Sequence, residues 1–336
     1  VNGVCVREQK HKKNMTRQPT IVLTNKKLSV CLLNQLIQIL KDRVGLHFIN
    51  CTIENENDFI KFIRLLPRFP LTVLNVSDMS LSRACWMEIT KVVHQSKTII
   101  NFDVGADDLT EHDINACIAS VVNGTVTSFT LKYNITRMTN MDTLKLALMD
   151  PKCNLLRLQL SGCALIGIEG FFLALSYTSI HSITLDYCYL NDKAMINLSS
   201  VLNQTKIRCL YLKRNNQITD NGIRWLSSAI RKSNILTTVD LSLNFRLTNK
   251  SVDYLMDALI GHPSIQHINV YNCGGIDLKK TEELCLTVKA LHSDRAILMT
   301  RLCWYRTLKE CPLNVLPTEL FRTIADTLHP IIDFFS

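Results

Sequence analysis

Thirteen cysteines and nine histidines are the residues of this 336-residue chain best suited to chemistry. Thiolates and imidazoles can hold zinc, and an activated thiolate is a nucleophile, but each task needs partners at fixed spacing. No C-x-x-C pair occurs, the cysteine count is odd, and the spacings follow no framework. A zinc ribbon, a dithiol redox centre and a disulfide scaffold are therefore unsupported, and reduced thiols are the simplest reading. H-E-x-x-H, G-x-S-x-G and Walker-type G-x-x-x-x-G-K are absent. Glu111-His112-Asp113 precedes a helical run, where first-turn acids are ordinary. His262 stands before Pro263 near a helix end, where capping or solvation is the ordinary role. No catalytic residue, metal site or cofactor is expected.

Four of the cysteines make better sense as spacers in a repeat. Leu155–Leu165 reads L-x-x-L-x-L-x-x-C-x-L, and the pattern recurs. Ile180, Ile183, Leu185, Cys188 and Leu190 repeat it, as do Ile207, Leu210, Leu212 and Asn215, then Leu236, Val239, Leu241 and Asn244. The Asn/Cys position serves as a ruler: Cys51, Met79, Asp107, Asn134, Cys163, Cys188, Asn215, Asn244 and Cys273, spaced 25 to 29 residues apart. Alternating apolar residues in L-x-L point one way from a short strand. The Asn or Cys follows where the chain turns, satisfying enclosed backbone groups or filling the space as a small, mostly apolar side chain. The second half of each unit changes period. Ile223, Leu226, Ala229 and Ile230 lie on one helical face, as do Val252, Leu255, Ala258 and Leu259, and Ile114, Cys117, Ile118, Val121 and Val122.

A strand plus a full helix in about 28 residues resembles the ribonuclease-inhibitor subclass of leucine-rich repeats. Ile218-Thr219-Asp220-Asn221-Gly222 and Val239-Asp240-Leu241-Ser242-Leu243-Asn244 look like that family's "LTDNG" and "LDLSxN" phrases. The resemblance covers residues 20–292. It implies an α/β solenoid, a horseshoe with parallel strands on the concave face and helices on the convex face. It also implies a protein-binding scaffold rather than an enzyme. Alternatives within that resemblance are an enzyme regulator, such as a nuclease inhibitor or small-GTPase activator, and the sensing part of a larger receptor.

In such a fold the outward strand residues form columns. One reads Asn75, Asp103, Thr130, Gln159, Thr184, Tyr211, Asp240, Asn269; the next Ser77, Gly105, Lys132, Ser161, Asp186, Lys213, Ser242, Tyr271; a third Asp78, Ala106, Tyr133, Gly162, Tyr187, Arg214, Leu243, Asn272. Tyrosine and arginine dominate protein interfaces. Tyr133, Arg157, Asp186, Tyr187, Tyr211, Lys213, Arg214, Asp240 and Tyr271 are the candidate partner-binding residues. Tyr and Arg could also stack RNA bases, but Asp186 and Asp240 among them argue against nucleic acid.

Composition agrees: 47% hydrophobic and 20% charged, with few Gly and Pro, is a globular rather than disordered or collagen-like chain. The formal charge is +9. Part of it is local, since Arg7, Lys10, Lys12, Lys13 and Arg17 are offset only by Glu8. Residues 1–19 are expected to be a flexible basic arm, attractive to acidic surfaces. No stretch approaches the ~20 apolar residues of a membrane span, no signal peptide opens the chain, and an intracellular location, cytoplasmic or nuclear, is expected. After residue 292 the repeat stops, and 293–336 are expected to form a helical cap. Within it, Leu316-Pro317-Thr318-Glu319-Leu320, Ile324 and Leu328 resemble the opening of an F-box, truncated as in PRANC segments. That resemblance implies a Skp1-type adaptor bound by Leu316, Pro317, Leu320, Ile324 and Leu328, and a substrate receptor of a cullin-type ubiquitin ligase.

Overall fold

The structure is a computed structural model that describes residues 5–8, 19–42, 44–105, 109–132, 141–163, 165, 168–260 and 262–291. Leu316, Pro317, Leu320, Ile324 and Leu328 lie outside the described residues, as does Tyr133. The chain divides into two compact units, Val1–Val288 and Lys289–Ser336.

The first unit alternates strands and helices. In chain order these are β1 (Cys5–Glu8), β2 (Pro19–Thr24), β3 (Lys27–Leu28), α1 (Val30–Ile39), β4 (Gly45–Ile49), β5 (Thr52–Ile53), α2 (Glu56–Leu65), β6 (Val73–Ser77), α3 (Arg83–Gln95), β7 (Asn101–Gly105), α4 (Glu111–Ser120) and β8 (Ser128–Lys132). They continue as α5 (Asp142–Met149), β9 (Arg157–Ser161), α6 (Glu169–Leu175), β10 (Ser182–Thr184), α7 (Asp192–Val201), β11 (Cys209–Tyr211), α8 (Asp220–Lys232), β12 (Thr238–Asp240), α9 (Asn249–Leu259) and β13 (His267–Asn269). Residues 278–291 are again helical. The main sheet has eleven strands in the order β1-β2-β4-β6 and then β7 through β13. All neighbours from β2 onward are parallel. Each strand thus lies beside the one before it, and successive helices pack on one another.

The two sequence periods explain this layering. In β6, Leu74 and Val76 are buried while Asn75 and Ser77 are half-exposed. The buried side faces the helices: Phe48 of β4 meets Phe59 and Phe62 of α2 edge-on at 5.8 and 6.2 Å. Along α8 the buried stripe includes Ile223, Leu226, Ala229 and Ile230, and along α9 Val252, Leu255, Ala258 and Leu259. Val122 departs from the expected stripe, since α4 ends at Ser120 and Val122 is only half-buried. Helix starts are capped by Ser29, Asn55, Ser82, Thr110, Asn191, Thr219 and Thr248, whose side chains accept backbone N–H bonds. Asp113 completes a capping box with Thr110, which accounts for the Glu111-His112-Asp113 trio. His262 is buried rather than solvated: its Nε2 meets the Ile230 carbonyl at 2.8 Å, and its Nδ1 accepts from Ser264 and Ile265 N–H at 3.2 Å.

The ruler residues tie adjacent units. The Cys51 thiol donates to the Leu23 carbonyl at 3.4 Å, Cys188 to Leu160 at 3.1 Å and Cys273 to Leu241 at 3.2 Å. Asn215, fully buried, donates to the Leu185 and Leu212 carbonyls and accepts from the Cys188 and Leu190 N–H groups. The ten cysteines whose side chains are described are all unbridged. Burial pushes the Cys117 and Cys188 thiols well above their usual range, away from the reactive thiolate.

One element departs from expectation. The arm expected to be flexible contributes β1, which pairs antiparallel with β2, Cys5 opposite Val22 and Glu8 opposite Pro19. An uncovered edge strand carries a row of unpaired backbone groups, and β1 satisfies that row on β2. Its direction opposes that of the repeats, so no repeat pattern marks it.

Candidate binding face

The face of the sheet away from the helices carries the outward strand residues. Parallel register aligns them in the expected columns: Asn75 opposite Asp103, Asp103 opposite Thr130, Thr130 opposite Gln159, and onward through Thr184, Tyr211, Asp240 and Asn269. Beyond the short later strands, backbone bonds keep the register. Tyr187 N–H donates to the Lys213 carbonyl at 2.7 Å, Arg214 to Ser242 at 3.2 Å and Leu243 to Tyr271 at 2.9 Å.

The third column has a backbone signature. Asn25, Asn50, Asp78, Tyr187, Arg214, Leu243 and Asn272 have φ between 49° and 63°, and Gly162 has φ 73°. Among the described residues, left-handed backbone follows β2, β4, β6 and β9 through β13 and turns the chain toward its helix. Asn, Asp and Gly adopt it readily, whereas a larger side chain carries a steric cost of roughly 1–2 kcal/mol. Tyr187, Arg214 and Leu243 are thus held where the local conformation disfavours them. Tyr189 also has a positive φ, 55°.

Around this turn the structure brings most of the candidate residues together. Tyr187 and Arg214 are exposed, Tyr271 is 70% exposed, and Tyr211 is half-buried. Asp240 is buried and held on three sides: Ser242 donates from Oγ at 2.6 Å and from N at 3.0 Å, Asn269 Nδ2 from 3.2 Å, and Lys213 Nζ pairs at 3.2 Å. Asp186 accepts the Lys213 N–H at 2.9 Å. Burial nevertheless pushes its carboxyl above the usual range, outweighing Lys213, with Asp240 adding repulsion. Burial likewise raises the Tyr211 phenol. The Lys213 ammonium is therefore paired with Asp240, while its backbone N–H is held by Asp186. Arg157 stands apart, exposed at the start of β9 beside Ser182, at the opposite end of the strands from Tyr187.

Two exposed aromatic side chains were not expected from sequence, and one of them, Tyr189, lies against the patch. Tyr189 is 51% exposed with its ring 5.5 Å from that of Tyr187, and Phe245 is 52% exposed. Each follows a buried ruler residue, Cys188 or Asn244, so the alternation of buried and exposed positions was the signal that could have found them. Beside Tyr189 a cleft of about 210 Å³ is lined by Leu165, Ile168, Leu190 and Ala194, with Glu169 and Lys193 paired at 3.0 Å on its rim. That volume suits one inserted side chain better than a cofactor, which needs several hundred Å³. Among the described residues no cluster of His, Cys, Asp and Glu could hold a metal, and no helix is long and apolar enough to cross a membrane.

No family model and no curated protein matches the chain in sequence. Its backbone is similar to several solved structures. Leiomodin-1 actin-binding site 2 is 16% identical, with 50% of this chain and 97% of that one covered and a TM-score of 0.41. A chain of the yeast Rad7–Elc1 complex is 15% identical over 77% of this chain and 72% of that one, TM-score 0.47. A chain of the TLR13–ssRNA13 complex is 14% identical over 71% of this chain, TM-score 0.39, and this chain spans only 31% of its length. At this similarity none of them assigns a partner.

Proposed function

We propose that the chain is a leucine-rich-repeat solenoid of the ribonuclease-inhibitor type, a horseshoe that works without catalysis as a protein-recognition scaffold. Its partner docks on the concave strand face, over the turn that carries Tyr187, Arg214 and Tyr271. The observation that carries this reading is the pair Tyr187 and Arg214. Both are exposed, and both keep a left-handed backbone where five other units use Asn, Asp or Gly and one uses the half-buried Leu243. Retained strain is a common mark of a functional surface, and Tyr and Arg are the side chains that most often anchor interfaces. Lys213, Asp186 and Asp240 are fixed in advance by their mutual bonds, which lowers the ordering cost of association.

The test is affinity purification from cells with the chain carrying Tyr187→Ala, Tyr211→Ala and Arg214→Ala together. Loss of a specific partner with an unchanged urea midpoint supports the face; recovery of the same partner at the same yield rejects it. A sharper form of the reading makes the chain a substrate receptor of a cullin-type ligase. It rests on the F-box-like run Leu316, Pro317, Leu320, Ile324 and Leu328. A chain ending at Glu310 should then lose a Skp1-type adaptor while keeping the face-bound partner. Equal recovery from both forms removes the ligase role.

A further inference from the structure

The opposite edge of the sheet, where the chain returns from each helix to its next strand, has a different chemistry. Five successive return segments with the first strand residues they feed, 150–158, 176–184, 205–209, 233–239 and 260–268, hold one carboxylate, Asp150, which accepts the Lys152 N–H at 2.8 Å, in a chain that has 29 Asp and Glu. Apart from the buried His262, they carry Lys152, Arg157, His181, Lys206, Arg208 and His267. All of these but the half-buried His181 are exposed. Among the described residues, no carboxylate lies within ion-pair distance of Lys152, Arg157, Lys206 or Arg208. The Arg157 guanidinium reaches only Ser128 Oγ and Asn101 Oδ1, each at 3.4 Å, and Lys206 only Ser179 Oγ at 3.4 Å. Elsewhere on the units Lys193, Lys213 and Lys280 are each paired, while Arg83, Arg246 and Lys250 have no carboxylate within ion-pair distance among the described residues.

Register makes the edge continuous. Arg157, Ser182, Cys209, Thr238 and His267 are consecutive partners across β9 to β13. Backbone bonds from His181 N–H to Leu156 and from Arg208 N–H to His181, at 2.8 and 2.7 Å, place these cations on neighbouring units. Four strand steps of about 4.8 Å make Arg157 to His267 roughly 19 Å, the span of about six residues of extended peptide. We propose that this edge docks an extended acidic segment of a partner protein, independently of the tyrosine face.

Helix-end complementation and nucleic-acid binding both fit the edge less well. Cations often complement the negative ends of helices, but that effect is confined to the last turn. Arg157, Lys206, Arg208 and His267 all lie beyond their helices. Nucleic acid would also seek the cations. However, the five segments hold a single aromatic side chain for base stacking, Tyr177, and Asp103, Asp186 and Asp240 on the adjoining face would oppose a phosphate backbone. A narrow peptide stays on the edge and avoids them.

The test is fluorescence anisotropy with the full chain in 50 mM salt, using labelled octaglutamate, octaserine and a twelve-nucleotide single-stranded RNA. Octaglutamate should bind, octaserine should not, and the RNA should bind more weakly than octaglutamate. The combined variant Arg157→Ser, Lys206→Ser, Arg208→Ser should weaken octaglutamate at least tenfold. A control with the same charge loss at the exposed Arg83, Arg246 and Lys250, all to Ser, should weaken it less than twofold. The tyrosine-face triple variant should bind octaglutamate more than the edge variant does, so the two surfaces fail separately. Absent octaglutamate binding, equal losses in edge and control variants, or tighter binding of RNA overturns the proposal.

Discussion

The side-chain oxygen of Asn215 accepts the backbone N–H of Cys188 at 2.9 Å, from a residue 27 positions earlier in the chain. The same carboxamide accepts from Leu190 at 3.1 Å and donates to the Leu185 carbonyl at 2.8 Å and that of Leu212 at 3.0 Å. One buried side chain therefore closes the turn of its own unit and that of the unit before it.

Asn215→Ala leaves several enclosed backbone groups without partners and should cost about 3 kcal/mol, given 1–3 kcal/mol for each buried polar group left unsatisfied. Asn215→Cys should recover part of the loss, because a thiol here can donate as Cys188 does to Leu160 at 3.1 Å. Urea denaturation of both variants decides this. Alanine equal to cysteine would mean that space-filling, not hydrogen bonding, sets the position.

The left-handed turn predicts a trade between stability and binding. Arg214→Asn places a tolerant residue at φ 55° on an exposed site and should raise stability by about 0.5–1 kcal/mol. Partner affinity should fall with the same change. A stability unchanged or lowered would show that the turn holds Arg214 without strain.

Two aspartates should respond to pH with opposite signs. Burial raises the Asp186 carboxyl above its unfolded value, so its stabilising contribution is greatest in acid and is lost as pH rises through the raised value. Asp186→Asn keeps an acceptor for Lys213 N–H and should be at least as stable as the parent at pH 7, with the difference shrinking toward pH 3. For Asp220 burial also works against ionisation, but hydrogen bonds from Ser251 and Thr248 outweigh it and lower the carboxyl. Its contribution is present at neutral pH and is lost as pH falls through the lowered value. Asp220→Asn should therefore destabilise at pH 7 and converge on the parent in strong acid. Urea midpoints at pH 3, 5 and 7 compare the two, and slopes of the same sign would contradict the assignment.

Gly222 lies inside α8, where alanine ordinarily adds helix stability of about 1 kcal/mol. Here a Cβ would stand 2.5 Å from Asp192 Oδ1 and 3.2 Å from Ile218 and Met195. Asp192 in turn holds Thr219, accepting its N–H at 2.8 Å and its hydroxyl at 2.7 Å. Gly222→Ala should reverse the usual sign and destabilise by roughly 1–3 kcal/mol, the range for overpacking. A thermal melt checks the direction.

The repeat unit, its strand, its helix stripe and its Asn/Cys turn were legible in sequence, because each is written in a local period of two or of three to four residues. Leu74 and Val76, or Ile223, Leu226 and Ile230, announce their burial without reference to any other unit. The columns followed too, since register in a parallel stack repeats with the unit. Other features depend on neighbours that no local period encodes. Lys213 is expected on the binding face, but its pairing at 3.2 Å with Asp240, a unit away, is not written in its own repeat. Tyr187 and Arg214 were legible as candidate binding residues, but their left-handed backbone was not. β1 was hidden because a single antiparallel strand carries no repeat, and the unpaired edge at Arg157 and Arg208 emerged only when parallel pairing set five distant loops side by side. Short-range sorting of apolar and polar groups is set by sequence alone, whereas charge pairing and backbone strain are decided by what the fold places within a few ångströms.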